Sequence, residues 1–275
     1  MSKVIVITGG SSGIGRSAAG TLAAQGHTIA VVGRSPERTR SVAADIGGEA
    51  FLADYDRLDD VRALADALLN RFDRIDVLAN NAGGLVKKRA LTVDGHERTI
   101  QSNHLAPFLL TTLLLPRLRE NAAVSPVRVI STASSANTLG KIRLDDLDLR
   151  NRRWLGGWPA YGAAKLANIL FIKELARQTA GSGISAYSFH PGFVSTSFGA
   201  DTLPLKISNG LLGGRLGLTP EAGAAPLVHL ASADEVDAPS GTFFDQLKPN
   251  GHTARQANDA DFAAKLWAVS AREVA

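Results

Sequence analysis

Residues 3–15 read Lys3-Val-Ile-Val-Ile-Thr-Gly-Gly-Ser-Ser-Gly-Ile-Gly15, and the helix-like run Arg16-Ser-Ala-Ala-Gly-Thr-Leu-Ala-Ala-Gln25 follows at once. The apolar, β-branched run up to Ile7 has the character of a buried strand. Strand, glycine-rich turn and helix in immediate succession form the phosphate-binding start of a dinucleotide fold. Glycines let the backbone approach a pyrophosphate, and the helix N-terminus offers it N–H groups and partial positive charge. Gly9, Ser11, Ser12, Gly13, Ile14 and Gly15 are therefore expected to contact a cofactor. An ordinary tight turn is the competing reading, and the correct flanking elements weigh against it.

A second signal lies in Trp158-Pro-Ala-Tyr-Gly-Ala-Ala-Lys-Leu-Ala-Asn168. Tyr161 and Lys165 stand four residues apart, so phenol and ammonium project from one helix face. A fixed cation nearby favours the phenolate, and the expectation is a tyrosine pKa drawn down from about 10 toward working pH. Such a tyrosine exchanges protons with an alcohol or ketone oxygen. Tyr and Lys at this spacing also arise by chance, and the pair gains its weight from the glycine turn.

The spacing Gly9-x-x-x-Gly13-x-Gly15 together with Tyr161-x-x-x-Lys165 resembles the short-chain dehydrogenase/reductase superfamily in its single-domain form. Four further stretches match in the family's order: Asp76-Val-Leu-Ala-Asn-Asn-Ala-Gly83, Asn103-His-Leu-Ala-Pro-Phe108, Val129-Ile-Ser-Thr-Ala-Ser-Ser135 and His190-Pro-Gly-Phe-Val-Ser-Thr196. Lys165-Leu-Ala-Asn-Ile-Leu-Phe171 and Leu266-Trp-Ala-Val-Ser270 are similar to the retinol-dehydrogenase and WW-domain-oxidoreductase-like branch. The resemblance implies an α/β Rossmann-type doubly wound parallel sheet of about seven strands, ordered 3-2-1-4-5-6-7.

Composition agrees with one α/β domain spanning 1–275: 45% hydrophobic and 20% charged residues allow a substantial core. No run of eighteen apolar residues is present and the first strand begins at once, so neither a signal peptide nor a membrane anchor is expected, and the compartment expected is the cytoplasm. Cys is absent, which excludes disulfides, thiolate catalysis and zinc–thiolate sites. The net charge of +4 is scattered apart from Lys87–Arg89 and Arg150–Arg153, both read as solvated loops. A nucleic-acid surface would need a concentrated basic face, so no nucleic-acid partner is expected.

Strand-like runs Thr28–Val32, Ala50–Ala53, Ile75–Ala79, Val127–Ser131, Ile184–His190 and Gly241–Phe244 alternate with helical spacing over Glu37–Ile46, Leu58–Arg71, Glu97–Arg119, Tyr161–Thr179 and Glu221–Ala231. This βαβ rhythm argues for a parallel sheet covered on both sides. Lys141–Pro159 and Ser197–Leu218 break it. Ligands in open α/β sheets sit beyond the carboxyl ends of the strands, where both insertions emerge. They are expected to form a substrate lid, centred on about 197–218, with Trp154 or Trp158 as an aromatic wall. Simple packing of the tryptophans is the alternative.

The second strand ends Ala30-Val-Val-Gly-Arg-Ser35 without the acid that would bind a ribose 2′-hydroxyl. Arg34 would meet a 2′-phosphate, with Ser35 adding a hydrogen bond and Arg38 assisting, so NADP(H) is the expected cofactor; an exposed loop arginine is the alternative. By resemblance, Asp54 (with Tyr55 beside it) reads the adenine ring, although an Asp there also suits a helix cap. Asn80, Ala82 and Gly83 line the adenine-ribose side, Asn81 is structural, and Pro191, Gly192, Val194 and Thr196 contact the nicotinamide end.

The resemblance also assigns the chemistry. Tyr161 is the general acid/base, Lys165 depresses its pKa and binds the nicotinamide ribose, Ser134 polarises the carbonyl, and Asn103 holds a water linking Lys165 to solvent. Ser131, Ser134 and Ser135 all end the fifth strand; alignment on Leu139-Gly140 favours Ser134, with Ser135 next. His104 and His190 are expected to pack or cap, and no metal site is expected. The implied substrate is a small carbonyl or alcohol, apolar by the Gly- and Leu-rich lid, and a homo-oligomer is compatible with the family. A silent NADP-binding sensor on the same fold is the main alternative. An extended epimerase would add a C-terminal domain and a different glycine spacing, and light-driven protochlorophyllide reduction is disfavoured by the lack of cysteine.

Overall fold

The computed structural model describes residues 2–194 and 217–275. In chain order it runs β1 (Val4–Thr8), α1 (Gly13–Ala24), β2 (Thr28–Gly33), α2 (Pro36–Asp45), β3 (Glu49–Leu52), α3 (Leu58–Arg71), β4 (Val77–Asn80), α4 (Arg98–Ile100), a π turn (Gln101–Leu105), α5 (Ala106–Ala122) and β5 (Val127–Thr132). A 3₁₀ turn (Ser135–Leu139), α6 (Trp158–Gln178), β6 (Ile184–His190), α7 (Pro220–Ser232), β7 (Phe243–Asp245), β8 (Lys248–Pro249) and α8 (Ala260–Glu273) complete it.

The sheet order is β3-β2-β1-β4-β5-β6-β7-β8. Seven parallel strands stand in the expected order, and the two-residue β8 adds an antiparallel hairpin strand at the edge. Alternation along each strand splits the apolar residues between two cores, because successive side chains point to opposite faces. Val6, Ala30, Val32, Leu78 and Val129 face α3, α5, α6 and α8. Ile5, Ile7, Ile29, Val31, Val77, Ala79 and Ile130 face α1, α2 and α7. Near-continuous apolar strands are what a sheet covered on both sides requires.

Arg128, inside β5, is buried and donates to the carbonyls of Leu230, Ala233 and Asp234. It thereby closes the C-terminal end of α7, where orphan carbonyls and the helix dipole favour a cation.

Three departures from the sequence expectation matter. The helix expected over Glu97–Arg119 is interrupted by the π turn that carries Asn103. A terminal helix, α8, packs against α6 through Leu266 and Trp267, whose ring stacks on Phe171 at 5.7 Å. Arg89 lies in an exposed loop, as expected, but its guanidinium is engaged. It donates to the carbonyls of Leu149, Arg150 and Arg152 and lies over the Trp154 ring, so the two basic clusters are tied together.

Candidate active site

The strand order reverses between β1 and β4, which opens a crevice at their carboxyl ends. The glycine turn lines it. Gly9 and Gly13 adopt φ values of 65° and 51°, a region that side chains disfavour. A Cβ on Gly15 would lie 2.3 Å from the Gly9 carbonyl oxygen, so only glycine fits. The Ser12 side chain makes no capping bond to α1, and no acid stands in the helix's first turn. Its leading N–H groups are thus not taken by a capping side chain, which suits an anion.

Thr8 and Asn81 hold this turn in shape. Thr8 Oγ1 accepts from the Asn81 and Ala82 N–H groups at 2.9 and 3.0 Å, and Asn81 Nδ2 donates to the Thr8 carbonyl at 3.0 Å. Asn81 is structural, as expected; Thr8 was missed, although it opens the glycine motif. Gly33 leaves room for Ser11, whose Oγ is 2.8 Å from where a Cβ would stand. Ile14 packs beside Val194 and Gly223, and Gly192 adopts φ 84° at the end of β6 next to the buried Pro191. Thr196 and residues 197–216 of the expected lid lie outside the described residues.

Arg34 stands at the tip of β2 with Nη1 3.7 Å from both Asp54 Oδ1 and Asp56 Oδ2. Ser35 caps α2, its Oγ accepting from the Arg38 N–H at 3.5 Å. That bond uses a lone pair, and the hydroxyl proton stays available to donate. Asp54 closes a local turn by accepting from the Asp56 N–H at 3.2 Å rather than capping α3.

Two of the expected contact residues turn their side chains into the protein. The Tyr55 phenol is buried in the core, where burial pushes its pKa up, opposed by a hydrogen bond with Thr8 of the glycine turn. The Asn80 side chain points inward and donates to Thr111 Oγ1 at 2.8 Å, tying β4 to α5. Asn80 ends β4, where alternation decides the direction of the side chain, and Tyr55 lies in the turn that follows β3.

The segment after β4 joins the two ends of the site. A Cβ on Gly9 would meet Ala82 Cα at 3.0 Å. Gly83, with φ 152°, leaves space in which a Cβ would lie 2.4 Å from Asn103 Oδ1 and 3.4 Å from Lys165 Nζ. Asn103 Oδ1 accepts from the Gly84 N–H at 2.9 Å, and its Nδ2 donates to the carbonyls of Gly84 and Thr99 at 3.0 and 2.9 Å. The carboxamide clamps Gly84 and supports the π turn, and Oδ1 keeps a second lone pair for the water expected there. Such bulges are frequent at functional sites.

Lys165 and Tyr161 are both buried on α6. Lys165 Nζ donates to the Thr132 carbonyl at 2.8 Å and sits 5.5 Å from the Tyr161 ring centroid. Burial pushes the phenol up to about 12, opposed by a hydrogen bond from Ser134. The same burial pushes Lys165 down to about 7. The expected lowering of the tyrosine by its lysine neighbour is thus reversed, because both groups have left water and the ammonium is itself destabilised.

Ser134 is extended at the start of the 3₁₀ turn; its Oγ also accepts from the Ala136 N–H at 3.2 Å. Ser131 is buried within β5 and Ser135 lies inside the 3₁₀ turn, so Ser134 is the serine on the phenol. Trp158 packs edge-on against Tyr161 with centroids 6.0 Å apart and remains 40% exposed. Trp154 donates to the Lys87 carbonyl at 2.7 Å and braces the loop.

His104 packs in an aromatic group with Phe108 and Phe171 and bonds Ser270 at 2.8 Å; burial lowers it to about 4. His190 is buried and also lowered by burial. Among the described residues no group of three or more His, Cys, Asp or Glu could hold a metal, and no helix is long and apolar enough to cross a membrane.

A glycine cradle at a strand-order switch, leading to a buried Tyr–Lys–Ser cluster, defines a dinucleotide-dependent oxidoreductase site. The chain belongs to the short chain dehydrogenase family, whose description matches residues 3–143. It is 40% identical to DnrU, a candidate daunorubicin C-13 ketoreductase of Streptomyces sp. (strain C5), over 99% of this chain and 92% of that protein. It is 37% identical to human retinol dehydrogenase 13, over 99% of this chain and 84% of the relative, which places it in the retinol-dehydrogenase-like branch. Among solved structures, 3-ketoacyl-(acyl-carrier-protein) reductase from Brucella melitensis complexed with NADH matches with a TM-score of 0.71 at 27% identity, covering 88% of this chain and 96% of that one. Pseudomonas aeruginosa RhlG, in an NADP active-site complex, matches with a TM-score of 0.71 at 26% identity, covering 95% and 96%. The protein is a nicotinamide-dependent oxidoreductase of the carbonyl/alcohol couple.

Proposed function

We propose that the chain interconverts an apolar ketone or aldehyde with its alcohol, using NADP(H), with Tyr161 as the general acid and base. The observation that carries this is the buried Tyr161 phenol, hydrogen-bonded to Ser134 and one helical turn from Lys165, at the carboxyl edge of the sheet. The glycine turn and the α1 N-terminus would hold the pyrophosphate, Arg34 with Ser35 and Arg38 the 2′-phosphate, and Lys165 the nicotinamide ribose. Asp54, Ala82, Gly83, Pro191, Gly192, Val194 and Thr196 would line the remaining cofactor surface.

The cofactor, when bound, supplies or accepts the hydride. This chain's residues supply the rest. Ser134 donates to the carbonyl oxygen and orients it. As the carbonyl carbon gains the hydride, the oxygen takes the Tyr161 proton, and that proton is renewed from the Lys165 side. In the oxidative direction Tyr161 Oη receives the proton from the alcohol. A phenol raised by burial is fully protonated at neutral pH, which suits the reductive direction.

The names of the relatives, retinol dehydrogenases and a daunorubicin ketoreductase, support a bulky apolar substrate. Action on a free small molecule in the cytoplasm, as a monomer or a homo-oligomer, belongs to the same reading. The test is a panel of aromatic, isoprenoid and polycyclic carbonyls, followed at the NADPH absorbance band. Turnover lost in Tyr161→Phe, with cofactor affinity kept, is the expected result. Full activity in that variant would remove the mechanism, and cofactor binding without turnover of any carbonyl would favour a sensor.

A further inference from the structure

The aspartate two residues beyond Asp54 has no part in the chemistry above, yet it is the more firmly held carboxylate beside Arg34. Asp56 Oδ2 stands 2.5 Å from Arg98 Nη2 and 3.7 Å from Arg34 Nη1. Its side chain is 19% exposed, whereas Arg34 is 62% exposed and makes only loose contacts of 3.7 Å with Asp54 and Asp56. The backbone N–H of Asp56 is itself held by Asp54 Oδ1, and Arg98 opens α4 at the foot of the π turn. The carboxylate is therefore pinned to α4, which leads into the π turn that carries Asn103. Two guanidinium groups and two carboxylates make this patch electrically neutral.

We propose that Asp56 is a specificity-setting residue: clamped by Arg98, it opposes the hold of Arg34 on a 2′-phosphate and so moderates the preference for NADP(H) over NAD(H). This rests on the assignment of Arg34 to the 2′-phosphate made above. A dianionic phosphate arriving at Arg34 meets a fixed negative charge that cannot swing away, because Arg98 holds it. Asp54 is more exposed and lacks such a clamp. Neutralising Asp56 leaves Arg34 and Arg98 opposed by Asp54 alone, so the patch that faces the phosphate gains a net charge of +1. The repulsion removed is that of charges several ångströms apart near a surface, worth about three- to tenfold in affinity and reduced by salt.

The experiment is calorimetric titration of the full chain with adenosine 2′,5′-bisphosphate and with AMP, which differ only in the 2′-phosphate. Asp56→Asn and Asp56→Ser should each bind the bisphosphate about three- to tenfold more tightly than the parent, with AMP unchanged within about twofold. Asp56→Glu, which keeps the charge, should behave like the parent, and the gain should shrink as salt is raised. Unchanged or weaker bisphosphate binding in both neutral variants, in protein that melts cooperatively, would overturn the proposal. Arg34→Ala separates the two levels of the argument. If it weakens the bisphosphate while the Asp56 variants do nothing, only the role of Asp56 fails. If it leaves the bisphosphate unaffected, the 2′-phosphate assignment fails and the Asp56 role with it.

Discussion

Lys165 Nζ donates to the carbonyl oxygen of Thr132 at 2.8 Å while standing 5.5 Å from the Tyr161 ring centroid. The ammonium is thus anchored to the end of β5, the strand that also delivers Ser134. One strand end places both partners of the phenol, the serine through its hydroxyl and the lysine through the backbone.

A pH-dependent stability follows from the depressed lysine. Lys165 drops from 10.5 to about 7 on folding, so between those values the unfolded chain binds more protons than the native one. Stability at this site therefore rises with pH across about 7 to 10.5 and is flat below about 7. Lys165→Met should abolish that part of the slope, a difference on the order of a few kcal/mol over the window. Urea unfolding of both proteins at pH 7 and 9.5, without cofactor, measures it; parallel slopes would contradict the burial argument.

The serine choice gives a paired substitution. Ser134→Ala removes the hydrogen bond to Tyr161 and should reduce kcat by about 10²-fold or more. Ser135→Ala, inside the 3₁₀ turn, should stay within about threefold of the parent, a bound consistent with a group that makes no contact with the reacting atoms. Steady-state kinetics on one carbonyl substrate decide it, and the reverse ranking would move the role to Ser135.

For the cofactor, Arg34→Ala should raise KM for NADPH about tenfold or more and leave NADH within about twofold, since charge-assisted bonds contribute about 1.5–3 kcal/mol. Equal effects on both cofactors would withdraw the NADP assignment.

Gly15 gives a steric test. A methyl group there collides with the Gly9 carbonyl at 2.3 Å, so Gly15→Ala must deform the turn. The expected outcome is a large loss of dinucleotide affinity and a destabilisation of about 1–3 kcal/mol. Fluorescence titration with NADPH alongside a thermal melt reports both. Gly20→Ala, where a Cβ meets nothing within 4 Å, serves as the control and should be neutral or stabilising.

The two tryptophans should separate. Trp158 lies on Tyr161, so Trp158→Ala should alter KM for bulky carbonyls more than kcat for a small test ketone. Trp154→Ala removes the bond to Lys87 and the stacking with Arg89, and should lower the melting temperature with a smaller effect on substrate choice. Identical profiles for the two variants would mean that both merely pack the loop.

Much of this protein was legible along the chain. Residues 3–25 announce the first β-strand, glycine turn and helix, because those three elements depend on local propensity and on the backbone freedom of Gly9, Gly13 and Gly15. Apolar runs at strand length placed six further parallel strands, and helical spacing reproduced α3 without error. The Tyr161–Lys165 spacing likewise required only that α6 be a helix.

Tertiary structure decided what depends on direction and on distant partners. Local pattern carries no sign of which way a strand-end or turn side chain points, so only the packed fold sends Asn80 to Thr111 and Tyr55 into the core. The π turn at Asn103 follows from its clamp on Gly84, nineteen residues away. Above all, the spacing of Tyr161 and Lys165 predicts attraction, whereas their shared removal from water raises one pKa and lowers the other. Proximity is written in the sequence; the dielectric around it is made by the fold.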